Sequence, residues 1–124
     1  MNTLQAFREN IPNLQENILL APHTYIKIGG PAKYFVQTGT VQELENAVRA
    51  AQQLEIPFRV LGGGANVLIS DKGYDGLIIR NITTDDQFSG TSVTVSAGYN
   101  LTKLADDAAK RGLSGLEFAF GIPG

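Results

Sequence analysis

Val60-Leu61-Gly62-Gly63-Gly64-Ala65-Asn66-Val67-Leu68-Ile69 is the stretch on which the reading of this chain turns. Three consecutive glycines follow the strand-like segment Phe58–Leu61 and precede an apolar one, Val67-Leu68-Ile69. Without side chains the backbone can approach a ligand closely. Successive amides in such a turn can form a concave nest for an anion. A plain flexible turn is the commoner reading of a glycine triplet taken alone. Two familiar phosphate loops are excluded. A dinucleotide fingerprint of the Rossmann type needs a third glycine where Val67 stands, and a helix where Val67–Ser70 reads as a strand. A P-loop needs Gly-Lys-Ser/Thr, which the chain lacks. Any phosphate held here is therefore held by backbone amides between strands.

Upstream of the run, Thr40-Val41-Gln42-Glu43 is a capping box, and Leu44, Ala47, Val48, Ala51 and Leu54 share one face of the helix behind it. Pro57 is expected to help end that helix. Tyr34-Phe35-Val36 before it and Phe58–Leu61 after it read as strands, the second one buried. Strand, helix and strand in that order favour parallel pairing. A short helical turn is expected over 3–9. Downstream, Leu77-Ile78-Ile79 and Val93–Ser96 read as strands, and Asn100 as the cap of a helix over 101–111 that stops at Gly112. The polar segment 81–91 is expected to hold a subdomain boundary.

Composition narrows the classes of function. Hydrophobic residues make up 43% of the 124 and charged residues 18%, so the chain can bury a modest core. Ten basic and twelve acidic residues leave a net charge of −2, which gives no cationic surface for nucleic acid. Cysteine is absent, which removes disulfides, thiolate metal sites and cysteine nucleophiles. No apolar run approaches bilayer thickness and no secretion signal is visible, so a cytoplasmic protein without membrane contact is expected.

Other motifs read as ordinary structure. Asp71–Gly76 brushes against a calcium-loop pattern, but its third and twelfth places are Gly73 and Ile82, so it reads as a surface turn. His23, the single histidine, lacks a visible catalytic or metal constellation. Asp85-Asp86 and Asp106-Asp107 read as solvated faces. Asn81-Ile82-Thr83 and Asn100-Leu101-Thr102 read as chance matches to a glycosylation triplet. No metal site is expected.

Four segments in order resemble one family: HTYIKIGGPA (23–32), the helix after it, VLGGGANVLISDKGYDGLII (60–79) and VSAGYNLTKLADDAAKRGLSGLEFAFGIPG (95–124). Together, over nearly the whole chain, they resemble bacterial UDP-N-acetylenolpyruvoylglucosamine reductases. These are FAD- and NADPH-dependent enzymes of peptidoglycan synthesis with the FAD-binding fold of vanillyl-alcohol oxidase. The resemblance implies an α+β fold, with residues 1–80 as a first FAD-binding subdomain and 81–124 as the beginning of a second. It implies non-covalent FAD, because Ala65-Asn66 stands where covalent relatives carry a histidine. It implies cofactor contacts from Leu61, Gly62, Gly63, Gly64, Ala65, Asn66 and Val67 at the diphosphate. Further contacts are implied from Ala97 and Gly98, and from Gly121, Ile122, Pro123 and Gly124. Tyr25 is implied near the cofactor.

The family's catalytic arginine, serine and glutamate fall outside the motifs present, so no catalytic residue is assigned and the 124 residues are expected to be inactive alone. The expectation is thus an N-terminal portion of such a reductase, holding about half an FAD site and meeting the UDP-sugar only in a full-length parent. Exposed apolar residues around Phe118 and Phe120 are expected to drive self-association. A flavin- or nucleotide-binding module without catalysis, and an FAD-dependent oxidase of the same fold, stand as the alternatives.

Overall fold

A computed structural model describes residues 2–124. Helix α1 (Thr3–Asn10) is capped by Asn2, whose side chain accepts from the Gln5 amide at 2.8 Å. Strand β1 (Gln15–Leu19), a short 3₁₀ turn (Ala21–His23) and strand β2 (Pro31–Thr38) follow. Helix α2 (Val41–Gln53) starts at the capping box, with Thr40 Oγ1 accepting from the Glu43 amide at 3.1 Å. The Glu43 carboxylate reaches one residue further back than the motif requires and accepts from Gly39 N at 2.8 Å.

Strands β3 (Phe58–Leu61) and β4 (Tyr74–Asn81) complete a four-stranded sheet in the order β1-β2-β4-β3. β2 and β3 both run parallel to β4, which lies between them. The expected parallel arrangement is present, but the two strands flanking α2 are not neighbours. β3 is an edge strand, so Arg59 and Val60 are exposed where a buried strand was expected. Only Phe58 and Leu61 turn toward the two apolar clusters.

The sheet separates those clusters. On one face Phe7, Ile11 and Leu14 join Ala47, Ala50 and Ala51 of α2 over Tyr34, Val36, Leu77 and Ile79. Phe7 and Tyr34 meet edge to face at 5.1 Å. On the other face lie Leu20, Ala32, Phe35, Leu61 and Ile78, a smaller cluster covered by loops. The alternation along β2 and β4 feeds both sides, as a sheet covered on two faces requires.

α2 stops three residues before Pro57 is reached. Ile56 N donates to Ala51 O at 2.9 Å and Glu55 N to Gln52 O at 3.2 Å, the two bonds of a Schellman ending, with Glu55 left-handed at φ 53°. Residues 86–95 form a separate hairpin of β5 (Asp86–Ser89) and β6 (Ser92–Val95). β5 lies inside the polar segment 81–91. Helix α3 (Leu101–Lys110) begins at Asn100, whose side chain accepts from Lys103 N at 2.8 Å. It ends at Gly112 with Leu113 N donating to Ala108 O at 2.9 Å. A short 3₁₀ turn (Glu117–Ala119) leads to residues 121–124.

Candidate functional site

The glycine run leaves β3 at the carboxyl end of the parallel strands, where ligands of open α/β sheets commonly bind. Leu61 buries its side chain in the second cluster, so only its backbone can face a ligand. Gly62 and Gly63 are exposed, and a Cβ on either would meet open space. Among the described residues, no backbone carbonyl accepts from the amides of Gly62, Gly63, Gly64, Ala65 or Asn66. Free amides at a strand end, with no side chain in front and no acid in the run, are the donor set an anion requires.

Gly64 fixes the shape of the loop. It sits at φ 77°, and a Cβ there would overlap the carbonyl oxygen of His23. Its own carbonyl accepts from Tyr25 N at 3.0 Å. The 23–25 turn is thus pressed against the loop, which places Tyr25 beside it, 63% exposed. The far end of the loop is tied by Ser70 O, which accepts from Gly30 N at 2.9 Å and Gly73 N at 2.8 Å. These bonds explain why Val67–Ser70 is irregular rather than the expected strand: its backbone answers the Gly29-Gly30-Pro31 turn instead of a strand edge. Val67 and Leu68 are exposed, and with Arg59, Val60 and Tyr74 they line a groove of about 460 Å³ beside the loop.

Residues 121–124 meet the loop directly. Asn66 Nδ2 donates to Pro123 O at 2.9 Å. Gly124 O accepts from Leu101 N at 3.3 Å, and Gly121 N donates to Thr102 Oγ1 at 3.1 Å. The two distant segments, 61–67 and 121–124, therefore share one locality at the start of α3. Gly98 lies on the path between β6 and α3. A Cβ there would overlap the Thr83 backbone, and its amide donates to Thr83 Oγ1 at 3.3 Å. Thr83 in turn donates to Asn81 Oδ1 from its hydroxyl at 2.8 Å and its amide at 3.1 Å. Asn81 and Thr83, the triplet read as a chance match, are a buried polar knot joining β4 to the second segment. Ala97 is exposed next to that knot.

Sequence reading passed over the pairing of His23 with Arg80. Arg80 Nη1 lies 2.8 Å from His23 Nδ1, and the His23 ring stacks on Phe35 at 4.7 Å. An arginine only donates, so His23 accepts through Nδ1 and is neutral. Burial, then Arg80, then Lys27 hold its pKa below the ordinary histidine value. The available signal was a single charged residue closing the apolar run Leu77-Ile78-Ile79-Arg80. At α3, Lys103 Nζ donates to Tyr99 OH at 2.7 Å and to Asp107 at 3.0 Å, while Tyr99 OH donates to Asp107 at 2.6 Å. These bonds, Tyr99 first, raise the Lys103 pKa and lower that of Asp107. Asp106 pairs with Lys110 at 2.7 Å. Both acids are thus used along the helix. Among the described residues, no three His, Cys, Asp or Glu side chains gather as a metal site, and no helix is long and apolar enough to cross a membrane.

Residues 32–124 match the model of an FAD binding domain. A UDP-N-acetylenolpyruvoylglucosamine reductase of Anoxybacillus flavithermus is 42% identical over 122 residues, which is 97% of this chain and 40% of the relative. The crystal structure of a UDP-N-acetylenolpyruvylglucosamine reductase from Thermus caldophilus superposes with a TM-score of 0.67 at 37% identity, covering 86% of this chain and 37% of the other. The structure of a p-cresol methylhydroxylase superposes with a TM-score of 0.58 at 16% identity, over 90% of this chain and 24% of that one, and shares the fold alone. The chain spans about 40% of the length of the reductases it matches.

Proposed function

The chain belongs to the FAD-binding domain family, and on that premise we propose that it forms the FAD-binding portion of an NADPH-dependent reductase converting UDP-N-acetylglucosamine enolpyruvate to UDP-N-acetylmuramate. The observation that carries the proposal is the set of free amides from Gly62 to Asn66 at the carboxyl end of β3. They are unpaired donors, and open space lies in front of Gly62 and Gly63, as a bound diphosphate would need. Similarity to reductases over 97% of the chain supports the choice of substrate.

In this reading Gly62, Gly63, Gly64, Ala65 and Asn66 donate to the diphosphate, with Leu61 and Val67 bounding the run. Gly121, Ile122, Pro123 and Gly124 form the facing wall, reached through the Asn66 bond to Pro123. Ala97 and Gly98 contribute backbone beside the Thr83 knot, and Tyr25 flanks the site from the 23–25 turn. Residues 1–80 act as the first subdomain and 81–124 as the beginning of the second, a division supported by the separate sheets of β1–β4 and β5–β6. Bound flavin supplies hydride chemistry between NADPH and the substrate; this chain's residues hold and orient it without a covalent bond. The proposal places the protein in the cytoplasm, where nucleotide sugars and reduced nicotinamide are found.

For the 124 residues alone we infer at most weak FAD binding and no turnover. Phe118 and Phe120 are 73% and 65% exposed, and self-association of the isolated chain is expected through them. Titration with FAD, followed by flavin fluorescence, tests the binding. Weak binding is expected of half a site, and tight stoichiometric binding would contradict the half-site reading. UDP-sugar-dependent oxidation of NADPH by the whole gene product tests the activity, and oxidation indifferent to the UDP-sugar would reject the substrate. Light scattering on the isolated chain tests association; a monomer at high concentration would refute it.

A further inference from the structure

Arg80 is the penultimate residue of β4, the central strand of the parallel set, at the same end as the glycine loop. Its register partner on β3 is Leu61, the residue that opens the loop, and on β2 it is Gln37. The side chain is half-buried, and its Nε is buried without any hydrogen-bond partner. Nη1 meets His23 Nδ1 at 2.8 Å and Gln37 Oε1 at 3.4 Å, both neutral acceptors. Among the described residues no carboxylate pairs with it. Lys27 adds a second positive charge near the same histidine. A partly desolvated guanidinium with no counter-charge is costly unless an anion completes it.

The contacts lead from this cation to the loop. Arg80 bonds His23, the His23 carbonyl abuts Gly64, and Tyr25, two residues on, donates to Gly64 O. The histidine is braced on Phe35 and serves the arginine as a neutral acceptor, leaving the positive charge undiminished. An arginine serving only as a strut would be better matched by a carboxylate than by an imidazole and an amide.

We propose that Arg80 supplies the cationic contact to a diphosphate held by the amides of Gly62–Asn66, and that neutral His23 positions it. The proposal rests on the diphosphate reading of that loop. The test is an FAD titration of the wild-type, Arg80→Gln and Arg80→Lys chains, at about 50 mM and about 500 mM salt, with circular dichroism confirming the fold of each.

Arg80→Gln is expected to weaken binding roughly tenfold or more at low salt and to lose most of its salt dependence, the scale of a charge-assisted hydrogen bond. Arg80→Lys should recover part of both. Arg80→Gln binding as wild type, or weaker with its salt dependence intact, would reduce Arg80 to a strut and overturn the proposal. A wild-type chain that binds no FAD would instead remove the diphosphate reading and the proposal with it. A measurement on the wild type alone guards against a variant that does not fold. The Arg80 Nε–H resonance should shift on adding inorganic pyrophosphate; a signal that stays put at saturation would also overturn the proposal.

Discussion

Asn66 and Pro123, fifty-seven positions apart, are joined by a hydrogen bond of 2.9 Å from the amide nitrogen of the first to the carbonyl of the second. It is a direct tie between the glycine loop and residues 121–124, and it bears on the start of α3 as well, since Gly124 O accepts from Leu101 N. Asn66→Ala is expected to cost about 1 kcal/mol locally, the net worth of one such bond. Hydrogen exchange at Leu101 and Gly121 should speed up roughly fivefold as the tail loosens. Unchanged exchange at both amides would show that the tail is held without Asn66.

Gly64 tolerates no side chain, because its φ is 77° and the His23 carbonyl occupies the Cβ position. Gly64→Ala is expected to destabilise the chain by about 1–3 kcal/mol, from left-handed strain and displacement of the 23–25 turn. Gly62→Ala, with open space at its Cβ, should leave stability within about 0.5–1 kcal/mol of wild type. Denaturant midpoints read both. Equal losses in the two variants would mean that the backbone at 64 is not the constrained one.

The His23–Arg80 contact makes stability depend on pH. Burial and the cations Arg80 and Lys27 depress the folded-state pKa of His23, so the unfolded chain binds the proton more readily. The contribution is complete above about pH 6.5, the unfolded value, and is lost as the pH falls through that value toward the lower folded pKa. Thermal melts of wild type and His23→Gln should converge as the pH drops from neutral toward about 5. Parallel curves across that range would separate His23 from the pH response.

Glu55 holds the left-handed position of the Schellman ending of α2, at φ 53°. Glycine suits that position without strain. Glu55→Gly is expected to raise stability by about 1 kcal/mol, seen as a higher melting temperature. A lower melting temperature would mean that the glutamate side chain contributes more than its backbone strain costs.

Local signals were legible where one segment determines its own form. The Thr40 cap, the Asn100 cap and the Gly112 stop could be read because each needs only a few consecutive residues. Sheet order could not, because the insertion of β4 between β2 and β3 is decided by burial on two faces. The same limit explains β3: its apolar residues read as core, yet an edge position exposes Val60. Val67–Ile69 has strand composition, but Ser70 is tied to Gly30 and Gly73. Within the site, the glycines were visible by composition. Arg80, His23 and the Asn81–Thr83 knot were not, because each acquires its role from a partner distant in sequence or from burial.

Backbone amide shifts under FAD, recorded by heteronuclear NMR on the 124-residue chain, bear most directly on the glycine loop. Saturable shifts centred on the amides of Gly62, Gly63, Gly64, Ala65 and Asn66 are expected, with smaller changes at 121–124. Shifts clustered elsewhere, with those five amides unmoved at saturating FAD, would contradict the assignment of the glycine run as the diphosphate site.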